Sequence, residues 1–314
     1  SLESILSDAD ITFGNLEGSL LDGGQPEKVC QDTSICYIFR TPTIYIENLV
    51  NAGFNLMSLA NNHSFDFGNA GYKSSEEILQ KNNIYSAGRS GSYTIMTIEG
   101  VKFGFAAFAP NNGCTSVNDL KKVWEEIEYL DELCDVIIVS FHGGAEGFDA
   151  MHVKNEVEYF YGEKRGNVVE FAHTAIDAGA DIIIGHGPHV PRAVDIYKNK
   201  FIAYSLGNFC TYSKFNLRKE RGYAPILKLS INDQGDFLEG EIISAVQRYP
   251  GGPVIDNKKG AYNLIKKLTM SDFPETSLLF YPNGKITKQD LVKKILFYFR
   301  FNVYYIISFG IWFC

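Results

Sequence analysis

Four short stretches of this 314-residue chain place histidine, amide and carboxylate side chains among glycines, just after an apolar run. The clearest stretch is GADIIIGHGPHVPR, residues 179–192, in which His186 and His189 follow a run typical of a buried strand. The others are GNLEG with Asn15 and Glu17, LANNHSFDFG with Asn61, Asn62, His63 and Asp66, and SFHGGAEG with His142 and Glu146. Imidazole and oxygen donors together suit manganese, iron or zinc. The four stretches therefore predict a site for a divalent transition metal.

The elements that must position these residues alternate between strand and helix. Apolar or alternating runs predict strands at 11–13, 54–59, 93–98, 101–108, 136–141, 181–184, 201–206, 224–231 and 237–245. Helical patterns and start signals predict helices at 42–52, 74–83, 116–134 and 167–180. Early alternation followed by consecutive strands indicates a layered α/β sandwich. Ligands bind such sheets beyond the carboxyl ends of the strands, so we expect the polar turns to meet there.

Composition limits the classes of function. A formal net charge of −8 disfavours nucleic acid as a partner, because nucleic-acid-binding proteins usually present a basic surface. A hydrophobic fraction of 45% is ordinary for a globular protein, and residues 1–285 predict one domain. No cysteines form a C-x-x-C pair. Cys30 and Cys36 share a polar loop, either as free thiols or as a disulfide in an exported protein.

The two ends of the chain carry their own expectations. Residues 286–314 form a largely apolar tail that we expect to be packed or membrane-associated, with a truncated anchor as the alternative. No signal peptide begins at residue 1, but the first residues resemble the middle of a domain. The start of this sequence therefore does not decide between a cytoplasmic and an exported protein.

Five motifs carry a resemblance to a known family. NLEG, GFNLMSLANNHSFDFG, FHGGAEG, GADIIIGHGPHV and YSLGNF occur in this order over roughly residues 8–250. They resemble the CapA-type capsule-synthesis proteins of poly-γ-glutamate assembly, whose domain is similar to calcineurin-like metallophosphoesterases. The resemblance implies an α/β fold, a four-layer αββα sandwich of the metallophosphoesterase type, with its metal site at the strand ends.

The resemblance also implies roles for individual residues. The implied metal ligands are Glu17, Asn62, His142, His186 and His189. Glu17 is preferred to Asn15 because a carboxylate binds a cation more strongly than an amide. His63 is the implied catalytic imidazole, and Asp66 is expected to orient it. In metallophosphoesterases the first strand carries a metal-binding aspartate, and no residue upstream of Asp10 corresponds to it. The prediction is therefore one or two bound ions of Mn, Fe or Zn, since a second ion would lack this ligand.

Other polar residues have weaker predicted roles. Asn15, Arg40 and Arg192 are predicted to bind an anionic substrate, and surface salt bridges are the alternative for the two arginines. Glu146 is expected to support the site rather than act in it. A basic cluster of Lys214, Arg218, Lys219 and Arg221 either attracts an acidic polymer or is simply solvated.

These features leave two main hypotheses for function. The first is a metal-dependent hydrolase that acts on a phosphoester or amide of an anionic polymer at the cell surface or in the periplasm. The second is a non-catalytic subunit of a membrane complex for polymer synthesis or export. A polymer-binding module is a third and weaker alternative. Fold alone does not separate them.

Overall fold

The computed structural model describes residues 2–30, 36–211 and 215–289, together with the backbone of 301–305 and 308–310. Its α-helices are α1 Leu2–Leu6, α2 Ile46–Asn51, α3 Gly68–Lys81, α4 Leu120–Asp131, α5 Val168–Asp177 and α6 Gly260–Asp272. Short 3₁₀ helices lie at Thr43–Tyr45, Phe148–Ala150 and Lys219–Gly222. Within these described ranges, no helix has both the length and the apolar character needed to cross a bilayer.

The strands follow one another in the order of the chain. They are β1 Ile11–Asn15, β2 Ser19–Leu20, β3 Arg40–Thr41, β4 Leu56–Ser58, β5 Tyr85–Ala87, β6 Tyr93–Ile98, β7 Val101–Phe108, β8 Val136–His142, β9 Glu158–Phe160, β10 Glu163–Gly166 and β11 Ile182–His186. The second half contains β12 Val194–Tyr197, β13 Lys200–Ala203, β14 Asn208–Thr211, β15 Ile226–Ile231, β16 Phe237–Ile243, β17 Ala245–Gln247, β18 Pro253–Ile255, β19 Leu278–Phe280, β20 Lys285–Lys288, β21 Phe301–Tyr305 and β22 Ser308–Gly310.

Two sheets form the centre of the fold. The larger sheet has the order β19-β20-β16-β15-β21-β1-β4-β5, and the smaller has β12-β13-β11-β8-β7-β6. Phe13 of β1 packs on Phe105 of β7 with ring centroids 5.6 Å apart, and Phe201 packs on Phe237 at 5.1 Å, so the sheets face each other. The predicted α/β sandwich is therefore confirmed.

Helices cover the outer faces of both sheets and complete the four predicted layers. On the smaller sheet, α4 buries Val123, Ile127 and Leu130 beside α5, while α3 lies on the larger sheet near β5. Asp119 begins α4 by accepting a hydrogen bond from the backbone of Lys122, as expected of an N-cap. Burial of this apolar stripe places the helix and leaves its charged face in water.

Part of the apolar C-terminal tail lies within a central sheet. The predicted boundary at 285 falls at the first residue of β20, and β21 lies inside the larger sheet, parallel to β1 and antiparallel to β15. Residues 301–305 therefore pair with strands of the larger sheet, beyond the predicted boundary. The physical reason is that a sheet provides partners for the backbone polar groups of an apolar segment.

Candidate metal centre

The carboxyl ends of β8 and β11 bring two predicted ligands side by side. The parallel register pairs His142 with His186, and both side chains are buried. Gly187 follows with a φ of +116°, and a Cβ there would lie 2.9 Å from the carbonyl oxygen of Gly143. Glycine therefore allows the two polar turns to approach this closely.

His142 and His186 have unused ring nitrogens. Among the described residues, neither nitrogen of either ring has a hydrogen-bond partner. Burial lowers the pKa of His186 to about 3, and burial together with Arg165 lowers the pKa of His142 well below its ordinary value. Both rings are consequently neutral near pH 7. Because buried polar atoms normally have partners, these nitrogens are suited to a bound cation.

The turns after β1 and β4 contribute oxygen atoms. Glu17 is buried; its Oε2 accepts a hydrogen bond from the Asn15 amide at 3.3 Å, while Oε1 has no hydrogen-bond partner among the described residues. The Asn61 amide donates to Asn15 Oδ1 at 3.1 Å and so joins the two turns. Asn62 Oδ1 is also buried, and its hydrogen-bonding capacity is likewise unused within the described chain.

His189 joins the two sheets at this edge. Its Nε2 lies 3.5 Å from Glu17 Oε1 and 3.8 Å from Glu146 Oε2, and its Nδ1 lies 3.0 Å from Asn208 Oδ1. Burial opposes a charge on the ring, but Glu17 and Glu146 outweigh burial and raise the pKa of His189. A hydrogen bond from Nδ1–H to Asn208 would leave the Nε2 lone pair directed at the carboxylates. The residue has a φ of +57°, a left-handed conformation that histidine adopts more often than most residues.

His63 lies beside this group in a separate hydrogen-bonded pair. Its Nδ1 is 2.7 Å from Asp66 Oδ2, the same oxygen that accepts the backbone N–H of Phe39 at 2.7 Å. Lys28 Nζ is 3.0 Å from Asp66 Oδ1, and the ring of Phe39 lies 3.9 Å from that of His63. Burial lowers the pKa of His63 even though Asp66 opposes the shift. Asp66 thus has the geometry of an orienting carboxylate.

A disulfide links two segments of the chain whose neighbouring residues contact His63. Cys30 is bonded to Cys36, which resolves the two alternatives left by the sequence in favour of the bonded pair. Lys28 and Phe39 lie just outside its two ends, and both contact the His63–Asp66 pair. Closing this loop restricts the unfolded chain and so favours the arrangement that contacts His63.

A cleft of about 690 Å³ opens above these residues. Its polar lining includes Lys28, Asn62, His63, Glu146, Glu163, Arg165, His189, Asn208 and Arg221, and its aromatic lining is Tyr37, Phe39, Phe160, Tyr161 and Phe215. Glu17, His142 and His186 lie deeper, at 2%, 0% and 1% exposure. The cleft therefore gives a substrate access to His63 and His189 while the deeper donors remain dry.

Three predicted substrate-binding residues lie outside the cleft lining. Asn15 is fully buried behind Glu17, which it orients. Arg192 is also fully buried, where both terminal nitrogens contact Glu158 at 2.8 Å. The guanidinium of Arg40 lies 5.6 Å from the centre of the Phe67 ring. We therefore correct the predicted roles of Asn15 and Arg192, because a buried group with protein partners does not meet a substrate.

The structure adds residues that the sequence did not single out. Lys28 contacts the His63–Asp66 pair, and Arg165 is buried 3.2 Å from Glu146 and 2.8 Å from Glu163. Asn208 contacts the ring of His189, with its Oδ1 3.0 Å from Nδ1. Only Asn208 had a sequence signal, the YSLGNF motif; Lys28 and Arg165 lie in polar segments without a recognisable pattern.

The donor set can be tested against a metal ion. Glu17, Asn62, His142 and His186 all present buried atoms without hydrogen-bond partners in the described chain, as ligands of an ion would. Nevertheless, no three His, Cys, Asp or Glu side chains of the described residues form a group arranged to hold one. The described residues therefore match a metal site in the types of their donor atoms and in the burial of those atoms, but not in an arrangement of three such side chains.

Comparison with known proteins gives a family and two named relatives. The family model described as "Bacterial capsule synthesis protein PGA_cap" matches residues 1–213. A capsule biosynthesis protein CapA of Bacillus anthracis is 24% identical over 286 residues, covering 84% of this chain and 65% of that protein. The PGA biosynthesis protein CapA of Bacillus subtilis strain 168 is 26% identical over 226 residues, covering 66% and 55%. The chain therefore spans only part of the length of these relatives.

A solved structure shows a weaker similarity. A Staphylococcus aureus protein described as a candidate 5'-nucleotidase, in complex with α-ketoglutarate, is 11% identical with a TM-score of 0.33. The match covers 71% of this chain and 43% of that one. A similarity at this level supports no inference about activity.

Proposed function

The chain belongs to the bacterial capsule synthesis PGA_cap family, and we propose that its domain is a metal-dependent hydrolase of an anionic capsular polymer. The observation that carries this proposal is the set of buried donor atoms without hydrogen-bond partners among the described residues, on Asn62 in the cleft lining and on Glu17, His142 and His186 below it. Such atoms are costly to bury unless a ligand satisfies them.

These four residues and His189 would hold a manganese, iron or zinc ion. When bound, the ion supplies an activated water and polarises the phosphoryl or carbonyl oxygen of the substrate. The protein's own contribution is to exclude bulk water from the deep donors and to fix His189 through Asn208.

His63 would supply the proton to the leaving group. Its Nδ1 is engaged by Asp66, so Nε2 is the atom left to exchange a proton with the substrate. Lys28 and Phe39 hold Asp66 in place. To act as the general acid, His63 must carry a proton on Nε2 as well as on Nδ1, so it would react from its protonated form, and its lowered pKa makes the Nε2 proton easier to transfer.

We expect His63→Gln to reduce turnover strongly without removing the metal. Loss of a general acid typically costs about 10²- to 10⁴-fold in rate. Turnover is measured on panels of phosphoesters and of γ-linked glutamyl amides, which tests the loss of activity. Metal content, measured on the same preparations, tests whether the metal is retained. Turnover at the parental rate on a hydrolysed substrate would exclude this role for His63, and failure of the parental protein to hydrolyse either panel would count against the hydrolase.

Metal affinity should fall as the pH decreases, because His189 must lose a proton before it can bind a cation. Burial would lower the pKa of His189, but Glu17 and Glu146 raise it overall. Affinity is full above that raised pKa and declines as the pH falls through it, by about tenfold per unit for one proton. Titration of Mn²⁺ across the pH range measures this decline, which Glu146→Gln should move to lower pH. An affinity independent of pH would exclude His189 as a ligand.

The second candidate is a non-catalytic subunit of a membrane complex that makes or exports the polymer. It is favoured by the absence, among the described side chains, of a group of three His, Cys, Asp or Glu arranged for a metal. Purified protein that binds the polymer without transition metal and without turnover would select this candidate.

We also propose that the protein works at the cell surface or in the periplasm. The Cys30–Cys36 disulfide supports this location, since structural disulfides persist mainly in oxidising compartments. Alkylation of thiols in intact cells, with and without reduction, would show whether the pair is bonded in place.

A further inference from the structure

Arg221 differs from the other cations of the cleft in its partners. Lys28 pairs with Asp66 at 3.0 Å, and Arg165 lies between Glu146 at 3.2 Å and Glu163 at 2.8 Å. The half-buried guanidinium of Arg221 forms no ion pair with any carboxylate of the described residues. Within that part of the chain, Arg221 is the cleft cation whose charge is not already neutralised.

Arg221 is also fixed relative to the proposed reaction centre. It lies in the 3₁₀ helix Lys219–Gly222, and its carbonyl oxygen accepts a hydrogen bond from the Asn208 amide at 3.1 Å. The same amide group contacts the carbonyl oxygen of His189 at 3.1 Å. The guanidinium passes close to Gly147, where an added Cβ would lie 3.4 Å from Nη2. The position of this cation is therefore coupled to the position of His189.

The surroundings of Arg221 suit a singly charged anion on a carbon-rich chain, such as the carboxylate of an acidic polymer. A single unpaired guanidinium balances one negative charge, and its planar arrangement of donors matches a carboxylate with two hydrogen bonds. The ring of Phe215 lies 5.3 Å from His189 and 5.8 Å from Phe39, and this pair of phenylalanines provides an apolar wall in the same cleft. Such a wall suits the methylene groups that lie beside the pendant carboxylate in a γ-linked glutamyl chain.

We propose that Arg221 binds the pendant carboxylate of the polymer unit next to the reacting bond and makes the cleft selective for carboxylate-bearing polymers. For its place in the reaction, this inference rests on the proposed hydrolase function. Recognition itself needs no turnover, so it can be tested separately from catalysis.

The test is equilibrium binding of a γ-linked glutamate oligomer to the full chain and to Arg221→Gln. Loss of a charged hydrogen-bonding partner should raise Kd by about 10- to 100-fold. Arg221→Lys, which keeps the charge but not the planar donors, should have an intermediate Kd. Arg218→Gln is the matched control, because Arg218 is an exposed arginine of the same segment outside the cleft lining. Thermal unfolding would confirm that all variants are folded.

Two further ligands distinguish carboxylate recognition from general attraction of anions. The oligomer with its pendant α-carboxylates amidated should bind weakly, and to the same extent, to parental protein and Arg221→Gln. Binding of inorganic polyphosphate should change less than tenfold in Arg221→Gln. Three outcomes would overturn the inference. The parental protein and Arg221→Gln bind the glutamate oligomer equally, the parental protein does not bind it, or Arg221→Gln loses the same fraction of its affinity for the oligomer and for polyphosphate. Binding that depends on Arg221 without any hydrolysis would leave the inference standing and reject the hydrolase.

Discussion

A protein carrying His186→Gln is expected to lose its bound transition metal while keeping its fold. His186 is buried at the end of β11 with both ring nitrogens lacking hydrogen-bond partners in the described chain, and burial holds its pKa at about 3. The neutral ring is therefore ready to donate a lone pair near pH 7 without first losing a proton. Removing such a ligand should weaken metal binding on the order of 100-fold or more, the upper end of what loss of a supporting residue costs.

Elemental analysis of purified protein measures this effect directly. His142→Gln should behave in the same way, since its ring is the register partner of His186. His152→Gln is the control, because that side chain is 55% exposed and pairs with Asp272 at 2.6 Å, outside the cleft lining. Full metal content in His142→Gln and His186→Gln would rule out these two residues as ligands. A parental protein without transition metal would instead favour the non-catalytic subunit.

Arg192→Met is expected to lower the free energy of unfolding by about 3–5 kcal/mol. Arg192 is fully buried; its Nη1 and Nη2 contact the two carboxylate oxygens of Glu158 at 2.8 Å, and Nη2 also donates to the carbonyl oxygen of Ala145 at 3.0 Å. Removing the guanidinium leaves the Glu158 carboxylate, 12% exposed, without its cationic partner. An uncompensated buried charge costs far more than a lost surface contact.

Denaturant unfolding with a double-mutant comparison would separate these contributions. Adding Glu158→Gln to Arg192→Met should recover part of the loss, because the stranded charge is then gone. Lys121→Met is the matched control, since Lys121 forms an exposed pair with Glu125 at 3.5 Å that should contribute less than about 1 kcal/mol. A loss in Arg192→Met as small as that of the control would mean that the pair contributes little and would reopen a substrate-binding role for Arg192.

Local patterns in the sequence predicted most of the secondary structure that positions the site. The bounds of β6 and β7 are those predicted from alternating and apolar runs, and β8 extends the prediction only from 141 to 142. The helix predicted at 42–52 is instead a 3₁₀ turn followed by α2, because pattern alone does not distinguish a tight first turn from an α-helix. The helix predicted at 116–134 is α4, Leu120–Asp131; its apolar face is buried at Val123, Ile127 and Leu130, whereas Trp124 is 40% exposed.

The sequence by itself determined which polar residues follow the strands: Glu17, Asn62 and His63 come after β1 and β4 of the larger sheet, and His142 and His186 end β8 and β11 of the smaller one. These positions follow from short-range periodicity and glycine placement, which the chain carries locally. The ion-pair partners of Arg192 and Arg165, and the insertion of β21 between β1 and β15, were decided only by the tertiary structure. Arg192 and Glu158 are 34 positions apart, and β21 is some 290 positions from β1. Partners at such separations are selected by competition among many possible pairings for burial and charge neutralisation, which no local pattern specifies.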